Sequence, residues 1–238
     1  MKNLAKLMKG EINRLNKYKI LPIGALVSLI WVLIIGLSNK ETAQELAPML
    51  IMMDATMMSI ILLGASHFYE KQEGTLKSLL TTPVSLFEIF ISKVLSSLLV
   101  TYISAIIVVS ASLIIHQISI SILLLVLYIA IIGVAHVALG YLLTLFSKDF
   151  GGLIGLYAVY AFLSFMPSLL FSMEILPEST KWYLMLSPTH ASQILLNNCF
   201  TAEPIEFVLV AALYLLLIAG CLFQFVVYKK FKNCLVEG

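Results

Sequence analysis

The chain has 238 residues, of which 61% are hydrophobic and 12% are charged, and its formal net charge is +2. Soluble domains carry about twice that charged fraction, so the composition excludes a soluble globular protein. Several apolar runs exceed the ~20 residues that cross a bilayer as a helix, and they lack the alternating polarity of membrane β-barrels. The composition therefore predicts an all-α polytopic membrane protein.

Residues 1–19 form a basic segment in which apolar residues recur at helical spacing between lysines and asparagines. This pattern predicts an amphipathic helix that lies at the membrane interface. A disordered basic tail is the alternative.

Six transmembrane helices are predicted across residues 20–228, followed by a short tail at 229–238. The predicted spans are Ile20–Ser38, Pro48–Tyr69, Val94–Ile115, Ile120–Phe146, Gly151–Met173 and Ile205–Tyr228. Only four residues separate the third and fourth spans, so their boundary is weakly defined. Pro167 predicts a kink or a break in the fifth span, because proline removes a backbone donor.

The lysines and arginines predict the orientation. Thirteen of the fifteen lie on one side of the predicted membrane, and only Lys40 and Lys181 lie on the other. Cytoplasmic loops are enriched in these residues, so both termini are predicted to be cytoplasmic. The opposite, outer side then contains residues 174–204, which are too apolar for a free loop and are predicted to form short capping or re-entrant helices.

Residues 70–85 form a polar island between the second and third spans. They read Glu-Lys-Gln-Glu-Gly-Thr-Leu at 70–76 and Thr-Pro-Val-Ser at 82–85. A short helix is predicted at Glu70–Leu80, with Glu73 and Lys77 as a favourable pair one turn apart. Pro83 ends that helix, and Ser85 with Glu88 predicts a capping box for the next one. The island is thus a rigid cytoplasmic elbow suited to a soluble partner.

These motifs, together with Lys93 and with Ser-Pro-Thr at 187–189, resemble the permeases of type-2 ATP-binding-cassette exporters. Within that family the chain is most similar to bacterial permeases described as fluoroquinolone-export subunits, over about residues 49–204. The resemblance implies a multi-pass protein of the bacterial inner membrane. It also implies a second permease subunit, in a homodimer, and two ATPase subunits.

In that family the elbow docks on the ATPase and transmits its closure. The resemblance assigns this coupling role to the residues that match the motif, which are Glu70, Glu73, Gly74, Thr75, Leu76 and Leu79. An ordinary amphipathic loop is the alternative. No cofactor is expected on this chain, which has no glycine-rich phosphate loop of its own. ATP and magnesium are expected on the partner ATPase.

Spans two and five line the central pathway in the family. The substrate-path candidates are therefore Asp54, Met57, Met58, Tyr157, Tyr160 and Phe165. The methionines and aromatics among them are predicted to form an adaptable apolar slot together with Met52, Met53 and Phe162. Packing in the core or against lipid is the alternative for each. Asp54 is predicted to meet either a cationic or zwitterionic cargo group or an inter-helix donor. The alternative is that it reaches the outer headgroups or a neighbouring backbone.

Three further features complete the predictions. Gly151 and Gly155 form a GxxxG pair that predicts close helix packing, within one subunit or across a dimer. His136 is predicted to be a neutral histidine that is hydrogen-bonded across helices. The histidines and cysteines lack metal-ligand spacing, so no metal site is predicted, and no nucleic-acid partner is expected.

The sequence thus predicts an exporter permease for an amphipathic drug, lipid or peptide. One alternative is an ion-coupled secondary transporter, which would need ionisable groups near the middle of the membrane and usually an internal repeat. The other is a non-transporting immunity or assembly membrane protein.

Overall fold

The structure, a computed structural model, describes residues 3–75 and 84–227, and every regular element in them is helical. The α-helices are α1 Leu4–Lys17, α2 Ile20–Leu37, α3 Lys40–Gln72, α4 Leu86–His116, α5 Ile122–Phe146, α6 Phe150–Ser172, α7 Lys181–Leu184, α8 Pro188–Phe200 and α9 Ile205–Leu222. A 3-10 turn at Glu178–Thr180 precedes α7, and a π-helical turn at Phe223–Val227 follows α9.

Six helices of the described chain are long and apolar enough to cross a membrane, namely α2, α3, α4, α5, α6 and α9. This confirms the predicted all-α fold and the number of spans. Helix α3 is the centre of the bundle, since 72% of its most apolar stretch is buried, against 17% for α2 and for α6. Helices α4, α5 and α8 pack around α3.

The approach of α5 to α3 depends on one glycine. A Cβ atom at Gly140 would lie 3.0 Å from the Cα atom of Ile60, which is tighter than nine in ten real Cβ contacts. Large apolar residues then fill the space on either side, including Ile51, Leu63, Ile129 and Ile132, all of which are at most 1% exposed. The core of the bundle is therefore tightly packed along α3.

Helix α3 is longer than predicted at both ends. It begins at Lys40 rather than Pro48, because the side chain of Asn39 caps it by accepting a hydrogen bond from the Thr42 amide at 2.8 Å. Pro48 lies inside the helix. At its other end α3 continues to Gln72, so Glu70 belongs to the last turn of this span and does not begin a separate helix. The rest of the predicted elbow, from Leu76 to Pro83, lies outside the described residues.

Helix α4 begins as predicted, with a capping box. The Glu88 amide donates to the Ser85 hydroxyl at 3.2 Å, and the Glu88 carboxylate accepts from the Ser85 amide at 3.1 Å. Because α4 already begins at Leu86, Lys93 lies about two turns inside the helix and not ahead of it.

Residues 174–204 fold into short helices as predicted, and α8 packs against α3, α5, α6 and α9. Its side chains Leu195 and Leu196 are fully buried. Of the two outcomes predicted at Pro167, a break is wrong, because α6 continues through this residue, and a kink stays a prediction. The Ser-Pro-Thr motif stabilises this part of α6, since the hydroxyls of Ser187 and Thr189 each donate to the Ser164 carbonyl at 2.7 Å.

Candidate functional site

Five side chains from three helices form a buried ion cluster at one end of the bundle. The cluster consists of Glu11 and Arg14 from α1, Ser66 and Glu70 from α3, and Lys93 from α4. The Lys93 ammonium lies 2.8 Å from one carboxylate oxygen of Glu11 and 2.8 Å from one of Glu70. Lys93 is 3% exposed and Glu70 is 1% exposed, so these charges have been taken almost entirely out of water.

The ion cluster is electrically balanced, with two carboxylates and two cations. The Arg14 guanidinium lies 2.5 Å from Glu70 and 3.4 Å from Glu11. Ser66 joins the pairs, since its hydroxyl accepts from Lys93 and donates to Glu11, both at 2.5 Å. Buried ions are costly to desolvate, and that cost is offset only where each charge has partners. The second oxygen of Glu70 is buried and accepts no hydrogen bond from the described residues.

The other charges of the ion cluster determine the protonation states of Glu11 and Arg14, the two side chains that α1 contributes. Burial alone would raise the pKa of Glu11, but the nearby charge of Lys93 and the hydrogen bonds from Lys93 and Ser66 hold this pKa below its ordinary value. Burial alone would lower the pKa of Arg14, but Glu70 and Glu11 raise it. Both side chains of α1 are therefore ionised in the cluster at neutral pH.

A second, exposed set of contacts joins α1 to the residue that follows α3. Glu73 accepts from Lys17 at 2.7 Å and from the Tyr18 hydroxyl at 2.6 Å. The pKa of Glu73 is lowered, mainly by the hydrogen bond from Lys17 and next by the one from Tyr18. Tyr18 also stacks on Tyr69 of α3, with ring centroids 3.6 Å apart. These contacts hold the end of α1 against the first residues of the predicted elbow.

The predicted coupling residues differ in how accessible they are. Glu70 is buried, while Glu73 and Gly74 are exposed and Thr75 is half-buried. Gly74 has a φ of 68°, the left-handed conformation in which glycine commonly follows a helix end. Leu76 and Leu79 lie outside the described residues, and so does Lys77, the predicted partner of Glu73. The structure thus places Glu70 inside the bundle and presents Glu73 and Gly74 at its surface.

Asp54 forms a second buried polar centre, halfway along α3. Its side chain is almost fully enclosed, and its two oxygens accept hydrogen bonds from two other helices. The Trp31 indole of α2 donates to one oxygen at 2.8 Å, and the Ser104 hydroxyl of α4 donates to the other. Ser28 in turn donates to Ser104 at 2.8 Å. Of the alternatives that the sequence left open, this geometry favours inter-helix donors.

An apolar cavity of about 290 Å³ lies between α3 and α6. The residues that line it are Met52, Met53, Thr56, Tyr157, Tyr160, Ala161, Phe162, Phe165, Met166 and Thr189. Of the six substrate-path candidates, only Tyr157, Tyr160 and Phe165 are among them. Met58 instead packs with Leu15 and Leu62, close to α1, and Met57 and Asp54 are not among the lining residues.

The cavity is connected to a buried histidine in α5. The Tyr160 hydroxyl lies 3.1 Å from Nε2 of His136, and Nδ1 of His136 lies 2.9 Å from the Ile132 carbonyl. A neutral imidazole satisfies both contacts, with Nδ1–H donating to the carbonyl and Nε2 accepting from the tyrosine. The predicted cross-helix hydrogen bond of His136 is therefore present, and it orients the hydroxyl of Tyr160.

The GxxxG pair does not pack against another helix in residues 3–75 and 84–227. A Cβ atom at Gly155 would have no heavy atom within 4 Å, and one at Gly151 would meet only the side chain of Asp149. Of the two alternatives, packing within the subunit is thus not seen among the described residues. A contact across a dimer stays a prediction.

The ion cluster was not predicted as a unit. Glu70 was assigned to coupling and Lys93 to the family motif, while Arg14 was only one of the basic residues that set the orientation. One signal was present, since Glu11 and Arg14 are three residues apart and Ser66 and Glu70 are four apart, so each pair lies on one helix face. That these two faces meet Lys93 is visible only in the folded chain.

The family model of the ABC-2 type transporter matches residues 6–200, which is more than four-fifths of the chain. No curated protein matches this chain. The matched region includes the ion cluster, the elbow and the cavity. Members of this family are transport subunits whose ATPase is a separate chain, and the six apolar helices of the described residues agree with such a subunit. This multi-pass membrane protein therefore belongs to the ABC-2 type transporter family.

Proposed function

We propose that this chain is the permease subunit of an ATP-driven exporter, in which two permease subunits dock on two ATPases. Both termini and the elbow lie on the cytoplasmic side of a bacterial inner membrane. ATP-driven closure of the partner ATPases moves the elbow, and an amphipathic cargo passes outward along α3 and α6. The fluoroquinolone-export resemblance makes an aromatic drug one such cargo.

The observation that carries this proposal is the ion cluster beside the first elbow residues. A force on Glu73 and Gly74 reaches Glu70 within one helical turn. From Glu70 it passes through Arg14 to α1 and through Lys93 to α4. Because these contacts are buried and charged, the three helix ends move as one body. The elbow therefore acts on α1, α3 and α4 together, whereas an isolated loop would move alone.

The cavity supports the proposed cargo class. Its lining contains three methionines and five aromatic or aliphatic side chains, while its polar groups are limited to hydroxyls. Methionine and aromatic surfaces adapt to planar apolar groups, so the cavity suits an aromatic part of an uncharged or weakly charged molecule. Asp54 and His136, the two side chains that ion coupling would need, each form a hydrogen bond with a neighbouring helix, Asp54 with Trp31 of α2 and His136 with Tyr160 of α6.

The test is co-expression with the candidate ATPase, comparing the wild type with Glu73→Gln and Leu76→Asp. We expect both variants to fold, to bind less ATPase or stimulate it less, and to transport less dye. Glu41→Gln is the matched control, because Glu41 is an exposed glutamate at the opposite end of α3. Full transport by the Glu73 and Leu76 variants would exclude the elbow as the coupling site.

A second result separates the alternative functions. If no ATPase associates with the wild-type chain and transport instead follows an imposed ion gradient, the chain is a secondary transporter. If neither ATP nor a gradient moves any tested cargo, the immunity or assembly alternative is favoured.

A further inference from the structure

The hydrogen bonds of His136 fix the direction in which the Tyr160 hydroxyl donates. His136 is fully buried, and among the described residues its ring nitrogens contact a carbonyl and a phenol, with no carboxylate to balance a charge. Burying an unpaired charge is costly, so the ring is neutral and carries one proton. That proton is on Nδ1, because the Ile132 carbonyl 2.9 Å away can only accept. Nε2 therefore accepts, and the Tyr160 hydroxyl, 3.1 Å away, donates to it.

This hydrogen bond leaves the Tyr160 side chain with acceptor capacity alone. A phenol has one proton, and Tyr160 directs it to His136, so only the lone pairs of its oxygen are available to another molecule. Ser164, one turn further along α6, does not occupy them, because its hydroxyl donates to the Tyr160 main-chain carbonyl at 2.7 Å. Tyr160 also lines the cavity between α3 and α6. The wall of a largely apolar cavity thus contains a hydrogen-bond acceptor.

The two threonines of the cavity lining also direct their protons into the protein. Thr56 donates to the Met53 carbonyl at 3.1 Å, and Thr189 donates to the Ser164 carbonyl at 2.7 Å. The lining is therefore richer in acceptors than in donors. An N–H or O–H group that left water for an apolar cavity without an acceptor would remain unsatisfied, and that is costly. An acceptor in the wall removes this cost and so decides which cargo is admitted.

We propose that Tyr160 determines the specificity of the cavity by accepting a hydrogen bond from an N–H or O–H group of an aromatic cargo. An aromatic molecule that has lost this donor, for example by N-methylation, gains nothing from the Tyr160 oxygen. The inference rests on the proposed function, since it treats the cavity as the cargo site. Binding to the cavity can nevertheless be measured without the ATPase.

Tyr157 provides the matched control. It lies three residues earlier on α6 and lines the same cavity. Its hydroxyl lies beside that of Thr56. A neighbouring hydroxyl can donate or accept, so it does not fix the direction of the Tyr157 proton as His136 fixes that of Tyr160. Removal of the Tyr157 hydroxyl should therefore leave the preference for a donor unchanged.

The experiment uses two rigid aromatic probes that differ at one position. Carbazole has a single N–H donor, and N-methylcarbazole has a methyl group in place of that hydrogen. Saturable binding of each probe to the purified full chain is measured by probe fluorescence in detergent, without ATP, and the signal of empty micelles is subtracted. Dissociation constants are compared for the wild type, Tyr160→Phe and Tyr157→Phe.

We expect Tyr160→Phe to bind carbazole about fivefold more weakly than the wild type, which corresponds to the loss of one hydrogen bond. Its affinity for N-methylcarbazole should not change. Tyr157→Phe should keep the wild-type ratio of the two dissociation constants. An equal change for both probes in Tyr160→Phe would overturn the proposal, because only the shape of the side chain would then matter. Equal losses of carbazole preference in the two variants, or no saturable binding of carbazole to the wild type, would overturn it as well.

A comparison within the wild type keeps the test valid if Tyr160→Phe does not fold. A cavity without an acceptor would favour N-methylcarbazole about fourfold, because that probe buries one more methyl group. With Tyr160 as the acceptor, carbazole should bind at least as tightly as N-methylcarbazole. Tighter binding of N-methylcarbazole to the wild type contradicts the proposal.

The result is separate from the test of the proposed function. If ATP drives dye transport but the probes show no donor preference, the role of Tyr160 is wrong and the exporter function stands. If the donor preference is present but no ATPase drives transport, the cavity is a selective binding site and the exporter function is wrong.

Discussion

Helix α3 contains two buried carboxylates, and they are stabilised in different ways. Asp54 lies halfway along the helix and receives hydrogen bonds from neutral donors, Trp31 and Ser104. Glu70 lies sixteen residues further on, in the last turn, and is paired with the cations Arg14 and Lys93. Both centres join α3 to α4, and each also recruits one more helix, α2 at Asp54 and α1 at Glu70. Neutral donors thus connect helices inside the membrane, and ion pairs connect them where the elbow begins.

The comparison predicts that removing a cation that pairs with Glu70 lowers the free energy of unfolding more than removing the carboxylate of Asp54. The largest effect is expected for Lys93→Met, which leaves Glu11 and Glu70 facing each other without their shared cation. Breaking a buried pair in this way costs about 3–5 kcal/mol, because the remaining charges are uncompensated. Thermal and denaturant unfolding in detergent would measure it. The double variant Glu11→Gln with Lys93→Met should recover part of this lost stability. If Lys93→Met alone costs less stability than Asp54→Leu, the comparison is reversed.

The second largest effect is expected for Asp54→Leu. It leaves the Trp31 indole and the Ser104 hydroxyl without their acceptor, at a cost of about 2–4 kcal/mol for two buried donors. Asp54→Asn keeps an acceptor oxygen and should cost less. Transport by Asp54→Asn should fall equally for cationic and neutral dyes, because Asp54 does not line the cavity. A selective loss of cationic dyes would show that Asp54 meets the cargo.

A smaller effect, and one that depends on pH, is expected for Glu11→Gln. The pKa of Glu11 is lowered from its usual value near 4.5, so its contribution to stability is present above that pH and is lost as the pH falls through the lower, folded-state value. At neutral pH the free energy of unfolding of the wild type should exceed that of Glu11→Gln by about 1–2 kcal/mol. Melting temperatures measured between pH 3 and pH 7 should converge only below about pH 4.5. A constant difference across this range would mean that Glu11 is not ionised in the cluster.

The smallest effect on stability is expected for Glu73→Gln, although its effect on coupling should be large. Glu73 pairs with Lys17 at the surface, and exposed pairs of this kind contribute little to folding. Its melting temperature should match that of Glu41→Gln, while ATPase stimulation should fall only in Glu73→Gln. If both properties fell together, Glu73 would be a structural residue like Glu70, and the distinction between the buried and the exposed parts of the elbow would disappear.

Much of the fold was predictable because hydrocarbon restricts the possibilities. A span must satisfy its own backbone hydrogen bonds, so long apolar runs such as Ile122–Phe146 could only be helices. The capping box at Ser85 was predictable for a similar local reason. The ends of α3 were not, because Asn39, and not Pro48, determines where the helix begins, and because Glu70 could extend the helix only by finding two cations.

The candidate site was predicted in part. Tyr157, Tyr160 and Phe165 line one cavity, whereas Met57 and Met58 do not, and the role of this cavity as a cargo path stays a prediction. The spacing of apolar residues along a helix shows which of them share a face. It does not show which neighbour that face meets, and so it could not separate Met52 and Met53 at the cavity from Met58 beside Leu15.

The sequence by itself determined the class of protein, the number of spans and the capping box at Ser85, because these follow from hydropathy and from local hydrogen bonding. Only the tertiary structure decided that Lys93 is buried between Glu11 and Glu70, that Asp54 is bound by Trp31 and Ser104, and that Tyr160 is the partner of His136. These features depend on which helix faces come together, and that is determined by side-chain packing between residues far apart in the chain.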